Sequence, residues 1–288
     1  MDILQLTYFK KIAELENVSK ASSELLVAQP ALSKVIRNLE TELDAKLFDR
    51  VGKKIVLNEN GKILLRHTNA ILQHIDDAKA EIIDSESKMT GTVYLSIQAA
   101  TRMLPQILLG FHQLHPTIKI VVQKQLESNI PDNCDFYIFS SRNECTDENT
   151  FSLLKEHCYV GMSKSHRLAD NDFVDMYDLK DEDFIILQEK KSLSDMLYEY
   201  CISSGFSPNI ALECDQQSSV FALIENNMGI AFIPEKTWNI TNHPNIILKP
   251  IRNKESIRYI NIRQKQDGYL SKMALLFKDY LFDFFSKL

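Results

Sequence analysis

A proline at position 30 sits inside the stretch VAQPALSKVIRNLE, Val27 to Glu40, which otherwise carries the spacing of an amphipathic helix. Proline has no backbone N–H and clashes with the preceding turn. A helix therefore accepts it only in its first turn, where that N–H has no partner to find. Pro30 thus fixes a helix start at Gln29 or Pro30 and a break just before it. The buried stripe is then Ala31, Leu32, Val35, Ile36 and Leu39, while Ser33, Lys34 and Arg37 face away from it together.

Upstream, Leu4, Phe9, Ile12, Ala13 and Leu15 predict a first helix over Ile3 to Leu15. Asn17 and Val18 end it, and Ser19 is suited to cap a short second helix, KASSELL, that stops near Leu26 and Val27. Two unequal helices joined by a tight turn, the second polar on its outer face, have the pattern of a helix-turn-helix. A small helical bundle with a merely solvated third helix has the same periodicity. The next residues shift the balance: KLFDR and KKIVLN are two strand-like segments separated by Val51 and Gly52, a hairpin signal. A basic hairpin behind a helix-turn-helix is a wing, with Arg50, Lys53 and Lys54 placed to reach phosphate or the minor groove.

Asn58 then caps a long helix running to about Met89, on which Leu64, Thr68, Ile71, Ile75, Ala78, Ile82, Ser85 and Met89 recur at alternating spacings of four and three. That is a coiled-coil seam, softened by Thr, Ala and Ser. A homodimer would cover it and would supply two reading helices for two half-sites. Packing on the same chain is the alternative.

The formal charge of −6 over 288 residues excludes a chain coated in basic residues. It is an average over unlike parts. Residues 1 to 60 hold nine Lys and Arg against nine Asp and Glu, so the remainder carries all of the −6, and residues 29 to 54 hold six bases against four acids. No apolar run approaches a membrane span, and MDILQLTYFKKIAELEN lacks the basic, apolar, small-residue order of a secretory signal, so a cytoplasmic address without membrane partners is expected. Cys134, Cys145, Cys158, Cys201 and Cys214 are odd in number and lack C-x-x-C spacing, which fits reduced thiols, with a redox-sensing pair as the lesser alternative. No nucleophile elbow or Gly-rich phosphate loop occurs, so neither an enzyme nor a cofactor is expected. His112 and His115 form H-x-x-H before Pro116 without a third ligand nearby, and no metal is expected there.

Beyond Thr90-Gly91 the pattern changes. TVYLSI, TIKIVVQKQ, CDFYIFSS, DFIILQ, NIALECD, IAFIPE and INIRQK read as strands. LPQILLGFHQLH, SLSDMLYEYCISSGF, SSVFALIENNMG and YLSKMALLFKDYLFDFFSKL read as helices, and FSLLKEHCYVGMS as a hydrophobic crossing between two blocks. This alternation implies two doubly wound α/β subdomains with a cleft between them. The C-terminal Phe277, Tyr280, Leu281, Phe284 and Phe285 recur at helical spacing and read as core or subunit interface.

These residues carry a resemblance. LQLTYFKKIAE, SKASSELLVAQPALSKVIRNLETEL, LFDR and the L-N-E-N-G that opens the long helix resemble the LysR-type transcriptional regulators, and the remainder resembles their effector-binding half, which is similar to a periplasmic binding protein. The resemblance implies a multi-domain chain: a helix-rich winged helix-turn-helix over 1–58 (core 18–37), a linker and dimerisation helix over 59–89, and an α/β effector domain over 90–288. Within the last, subdomain I spans about 92–160 plus 266–288 and subdomain II about 161–265. It implies a dimer or tetramer on double-stranded promoter or operator DNA, acting on the transcription machinery. Gln29, Pro30, Ala31, Ser33, Lys34 and Arg37 then occupy the reading positions, and Arg50 and Lys53 those of the wing. Gln can pair bidentately with adenine, and Lys or Arg can reach guanine or backbone.

Three departures stand out near the reading helix. Ala28 replaces a capping Ser or Thr, Asp44 replaces a Gly after the helix, and Lys34 stands where Arg is frequent. The effector half departs more: only Gln98 to Met103 separate Ile97 from Leu104-Pro105, and QLESNIPDNCD compresses a helix and a turn. Two readings follow. In one, Gln98, Thr101, Arg102, Ser128 and Asn129 form one wall of a reshaped effector pocket, where Arg102 and a helix N-terminus favour an anion. Gln188, Ser192, Phe206, Gln216 and Ser218 then face them. In the other, the cleft is degenerate and the chain acts without an effector or through its thiols.

Overall fold

The computed structural model describes residues 1–52, 54–85, 90–123, 134–145, 147–188, 191–266 and 268–288. Lys53, Ser128, Asn129 and the Met89 end of the seam lie outside them. The chain divides into two compact units, one of residues 1–88 with 267–271, the other of residues 89–266 with 272–288.

The first unit begins with helix α1, Ile3–Leu15, whose Asp2 and Gln5 make a reciprocal capping box. Helix α2 spans Val18–Leu25 and is capped not by Ser19, as the sequence suggested, but by Asn17, whose side chain accepts the N–H of Lys20. Helix α3, Gln29–Glu42, starts where Pro30 requires. Ala28 occupies its N-cap and supplies no side-chain bond. Asp44 follows with φ of 47°, a left-handed conformation that Asp tolerates better than most residues. Strands β1, Phe48–Val51, and β2, Lys54–Leu57, pair antiparallel as the wing.

Helix α4, Glu59–Ser85, opens on the capping bond from the Gly61 N–H to Asn58 Oδ1 (3.0 Å). Asn58 also donates to the Lys46 carbonyl (3.0 Å), tying the helix start to the segment before the wing. Gly61 has a packing reason, since a Cβ there would fall inside contact distance of the Leu47 carbonyl oxygen and the Leu57 side chain. Leu32 and Leu39 of α3 are fully buried, one with Ile12 and Ala21, the other with Phe9, Ala13 and Leu47. Ala31, read from periodicity as part of the buried stripe, is exposed. It lies in the first turn, ahead of the point where α3 meets the other helices.

The second unit is built on a seven-stranded sheet. Strands β3 (Gly91–Ile97), β4 (Ile118–Gln123) and β5 (Phe136–Ser141) are parallel, with helix α5 (Leu104–Leu114) between the first two. Strand β6, Thr150–Ser163, is the predicted hydrophobic crossing. Strand β7 (Asp183–Leu187), helix α6 (Lys191–Ser203), strand β8 (Asn209–Cys214), helix α7 (Gln217–Glu225) and strand β9 (Ala231–Pro234) follow. The last elements are β10 (Ile246–Lys249), which the sequence pattern did not announce, then β11 (Ile257–Gln264) and helix α8 (Lys272–Ser286).

The first half of β6 pairs with β11 and its second half with β9 and β10, so one strand runs through both halves of the domain. β11 also pairs with β5, and β7 with β8 in parallel. One core lies beneath α5 and α8, where Phe111 meets Phe277 edge-on at 4.9 Å and Leu281 and Phe285 are buried beside them on α8. The C-terminal aromatic stripe is thus largely core. The other core gathers Phe184, Leu197, Phe221, Ile224 and Phe232 around β7, α6 and α7.

Candidate functional site

At the N-terminal end of α3, Gln29, Pro30, Ala31, Lys34 and Arg37 are exposed and Ser33 is half-buried, so the turn that Pro30 begins presents one continuous outer face. Among the described residues Lys34, Arg37 and the exposed Arg50 of the wing have no carboxylate partner, whereas Lys11, Lys46 and Lys62 of the same unit are paired with Glu24, Glu40 and Glu59. Arg37 only folds back on the Ser33 carbonyl (3.3 Å). Unpaired cations on an exposed helix face are free to meet phosphate or base edges.

The shift of the α2 cap has a consequence for this face. With Asn17 as cap, the Ser19 hydroxyl is released and donates to Gln29 Oε1 (3.2 Å), which orients the amide. The sequence pattern pointed to Ser19 as the cap and gave no sign of this role, because both uses need the same short hydroxyl side chain.

In the second unit a small cavity lies where the segment after β3 meets the ends of β7 and β9. Ala99, Ala100, Thr101 and Arg102 line it on one side, Leu187, Gln217, Thr237 and Trp238 on another, and Arg258 of β11 closes it. Its volume is about 10 Å³, the space of one ordered water. The Arg102 guanidinium crosses to the Asn239 carbonyl (2.9 Å) and lies 5.6 Å from the Phe221 ring centre.

Arg258 is 1% exposed and pairs with the fully buried Glu156 at 2.8 Å. Glu156 Oε2 accepts the N–H groups of Lys236 (3.1 Å) and Thr237 (2.9 Å), and its Oε1 accepts the Thr237 hydroxyl (2.9 Å). Arg258 Nη2 donates to the same hydroxyl oxygen (2.6 Å). Bonds of this number are what allow a buried ion pair to persist.

Thr101 and Arg102 are therefore together at the cavity, while other expected residues lie elsewhere. Gln98 accepts the Tyr137 hydroxyl (3.0 Å), and Ser192 shares a 2.6 Å hydrogen bond with Ser140. Phe206 packs against the hydrophobic core, and Gln188, Gln216 and Ser218 are exposed and do not line the cavity. Gln217, between the last two, does line it. Arg258 and Thr237 had no local signal in the sequence.

The cysteines are free. Burial pushes the thiols of Cys134, Cys158 and Cys201 up to about 12 and raises that of Cys214, so these four are held as protonated thiols at neutral pH. Among the described residues no group of His, Cys, Asp and Glu is arranged to hold a metal ion, and no helix is long and apolar enough to cross a membrane.

Residues 87–286 match the model of the LysR substrate binding domain, and residues 3–62 that of the bacterial regulatory helix-turn-helix protein, lysR family. The chain belongs to the LysR family of transcriptional regulators. Among LysR relatives, the transcriptional dual regulator GltC of Bacillus subtilis is 30% identical over 303 residues, covering 100% of this chain and 99% of that protein. The HTH-type transcriptional regulator AlsR of the same organism is 25% identical over 84% of this chain and 83% of its own length. Full-length CbnR in complex with its target DNA has the same fold, with a TM-score of 0.65 at 18% identity over 98% of this chain and 99% of that one. A full-length OxyR variant from Pseudomonas aeruginosa gives 0.71 at 17% identity over 99% and 94%. The LysR helix-turn-helix is here built without a side-chain cap on its third helix, and Asp44 adopts the left-handed conformation otherwise suited to glycine.

Proposed function

We propose that this LysR regulator acts in the cytoplasm, without enzymatic activity, as a homo-oligomer that reads operator DNA in the major groove. Gln29, Pro30, Ala31, Ser33, Lys34 and Arg37 lie on the reading helix and Arg50 on the wing, and the reading extends to Lys53, which is outside the described residues. A small-molecule effector held between the two halves of the second unit modulates it. The DNA contact is supported above all by the exposed face of α3, whose Lys34 and Arg37 lack carboxylate partners among the described residues. Gln29 carries the side-chain amide that can pair with adenine, and its Oε1 is held by the Ser19 hydroxyl.

Four of the five cysteines are buried with protonated thiols that are poor nucleophiles, which leaves the half-buried Cys145 as the thiol on which the redox alternative rests. Footprinting on DNA upstream of the chain's own gene tests the reading. Gln29→Ala and Arg37→Ala are each expected to weaken specific binding about tenfold or more, the usual cost of one base or charged contact. Wild-type affinity in both variants would remove α3 from the interface.

A further inference from the structure

Ser19 of α2 and Gln29 of α3 are ten residues apart and both exposed, yet the Ser19 hydroxyl donates to Gln29 Oε1 (3.2 Å). Packing fixes the distance between the two helices at this point. Ala21, two residues after Ser19, and Leu32, three residues after Gln29, are fully buried in one cluster with Ile12. Leu26 turns the chain between the helices in the left-handed region, with φ of 54°. Neither polar side chain is needed elsewhere: Asn17 caps α2, and α3 has no side-chain cap. Among the described residues no protein acceptor takes the Nε2 hydrogens of Gln29.

An amide carbonyl accepts two hydrogen bonds, so the Ser19 hydroxyl takes one lone pair of Oε1 and leaves the other for a base. What the bond removes is freedom: the amide no longer exchanges its oxygen and nitrogen ends by rotating about its last torsion. Adenine presents the N6 hydrogens beside the N7 acceptor, and pairs bidentately only with an amide whose ends face the matching way. In water an exposed bond of this kind adds little to stability, because solvent replaces it. Under DNA the water is excluded and the same bond strengthens. We propose that Ser19 is a positioning residue for base reading: it holds the Gln29 amide with Oε1 toward adenine N6 and Nε2 toward N7, and so sets a preference for adenine at one base pair. This role rests on the major-groove reading of α3 proposed above and deepens it.

The test lets full-length protein and its variants select sites from a pool of random DNA duplexes, with base frequencies read by sequencing. Gln29→Ala is expected to lower an adenine preference about tenfold or more at one base pair of each half-site, which marks the pair that Gln29 reads. Ser19→Ala should lower the preference at that same pair about three- to tenfold, the effect of one hydrogen bond, and should add nothing to Gln29→Ala. Ser19→Thr keeps the hydroxyl and should restore the preference. Ser23→Ala, which removes a hydroxyl bonded to the Ser19 carbonyl, should leave every preference unchanged. The thermal melt of Ser19→Ala should not fall below that of the wild type, as loss of a capping or packing role would make it do. Wild-type preferences in Ser19→Ala beside a relaxed Gln29→Ala overturn the positioning role alone. The same role is overturned by an even loss over all base pairs, the mark of a phosphate contact, by an additive double variant, by a base other than adenine at the marked pair, by a lowered melt, or by failure of Ser19→Thr to restore the preference. No selection by the wild type, or unchanged preferences in Gln29→Ala, overturns the reading of α3 together with the role of Ser19.

Discussion

Glu156 and Arg258 are the most deeply buried charged side chains among the described residues, and each is tolerable only because the other is there. Glu156→Gln leaves Arg258 buried without its counter-charge and is expected to lower the unfolding free energy by about 3–5 kcal/mol, measured by urea denaturation. Replacing both, Glu156→Leu with Arg258→Met, removes the uncompensated charge and should recover only part of that loss, because the Lys236 and Thr237 N–H groups lose their acceptor. The buried thiols set a pH dependence of opposite chemistry. Their folded values of about 12 lie above the ordinary 9.0, so the folded state holds protons that the unfolded state releases. The resulting stability is fully present below about pH 9 and is lost as pH rises toward 12. Tyr159 and Tyr280, also raised by burial, act in the same direction. Thermal melts in reductant should therefore fall steadily above pH 9.

Among the elements, the opening of α4 shows how a local preference yields to packing. Gly61 lies in a helix, where alanine is favoured by about 1 kcal/mol. A Cβ at Gly61 would collide with the Leu47 backbone carbonyl, and overpacking of this kind costs about 1–3 kcal/mol. Gly61→Ala is accordingly expected to destabilise the first unit, visible as a lower denaturation midpoint. The seam further along α4 divides in two. Leu64 packs against the chain's own core, as the same-chain alternative required, whereas Ile71 and Ile82 remain 40% and 63% exposed. Those two are the positions a second copy would cover. Ile71→Asp should raise the dissociation constant of self-association at least about tenfold in sedimentation experiments, since it replaces an apolar contact in each subunit.

Across the whole chain, the two units were readable to different depths. The helices and wing of the first are set by signals a few residues apart: Pro30 at a helix start, Asn58 at a cap, and apolar spacing on α1 and α3. Even there, Asn17 and Ser19 competed for one cap, and only the folded geometry separated their roles. In the second unit the order of strands and helices was legible, but the short β10 lacked a distinct pattern and was missed. The cavity was legible in part. Thr101 and Arg102 were identified from the segment after β3, while Gln217 was bracketed by its two neighbours without being chosen.

Family, most element types and the start of α3 were written in local signals, because periodicity, capping and proline geometry act over a single turn or strand. Which side chains share the cleft was settled by long-range packing. Arg258 faces Glu156 through the antiparallel register of β11 on β6, a pairing between segments about a hundred residues apart. A shift of one residue in that register would turn Arg258 to the opposite face of the sheet. Arg102, Gln217 and Arg258 meet only because that register, the end of β3 and the start of α7 converge, and no local pattern in the chain encodes their meeting.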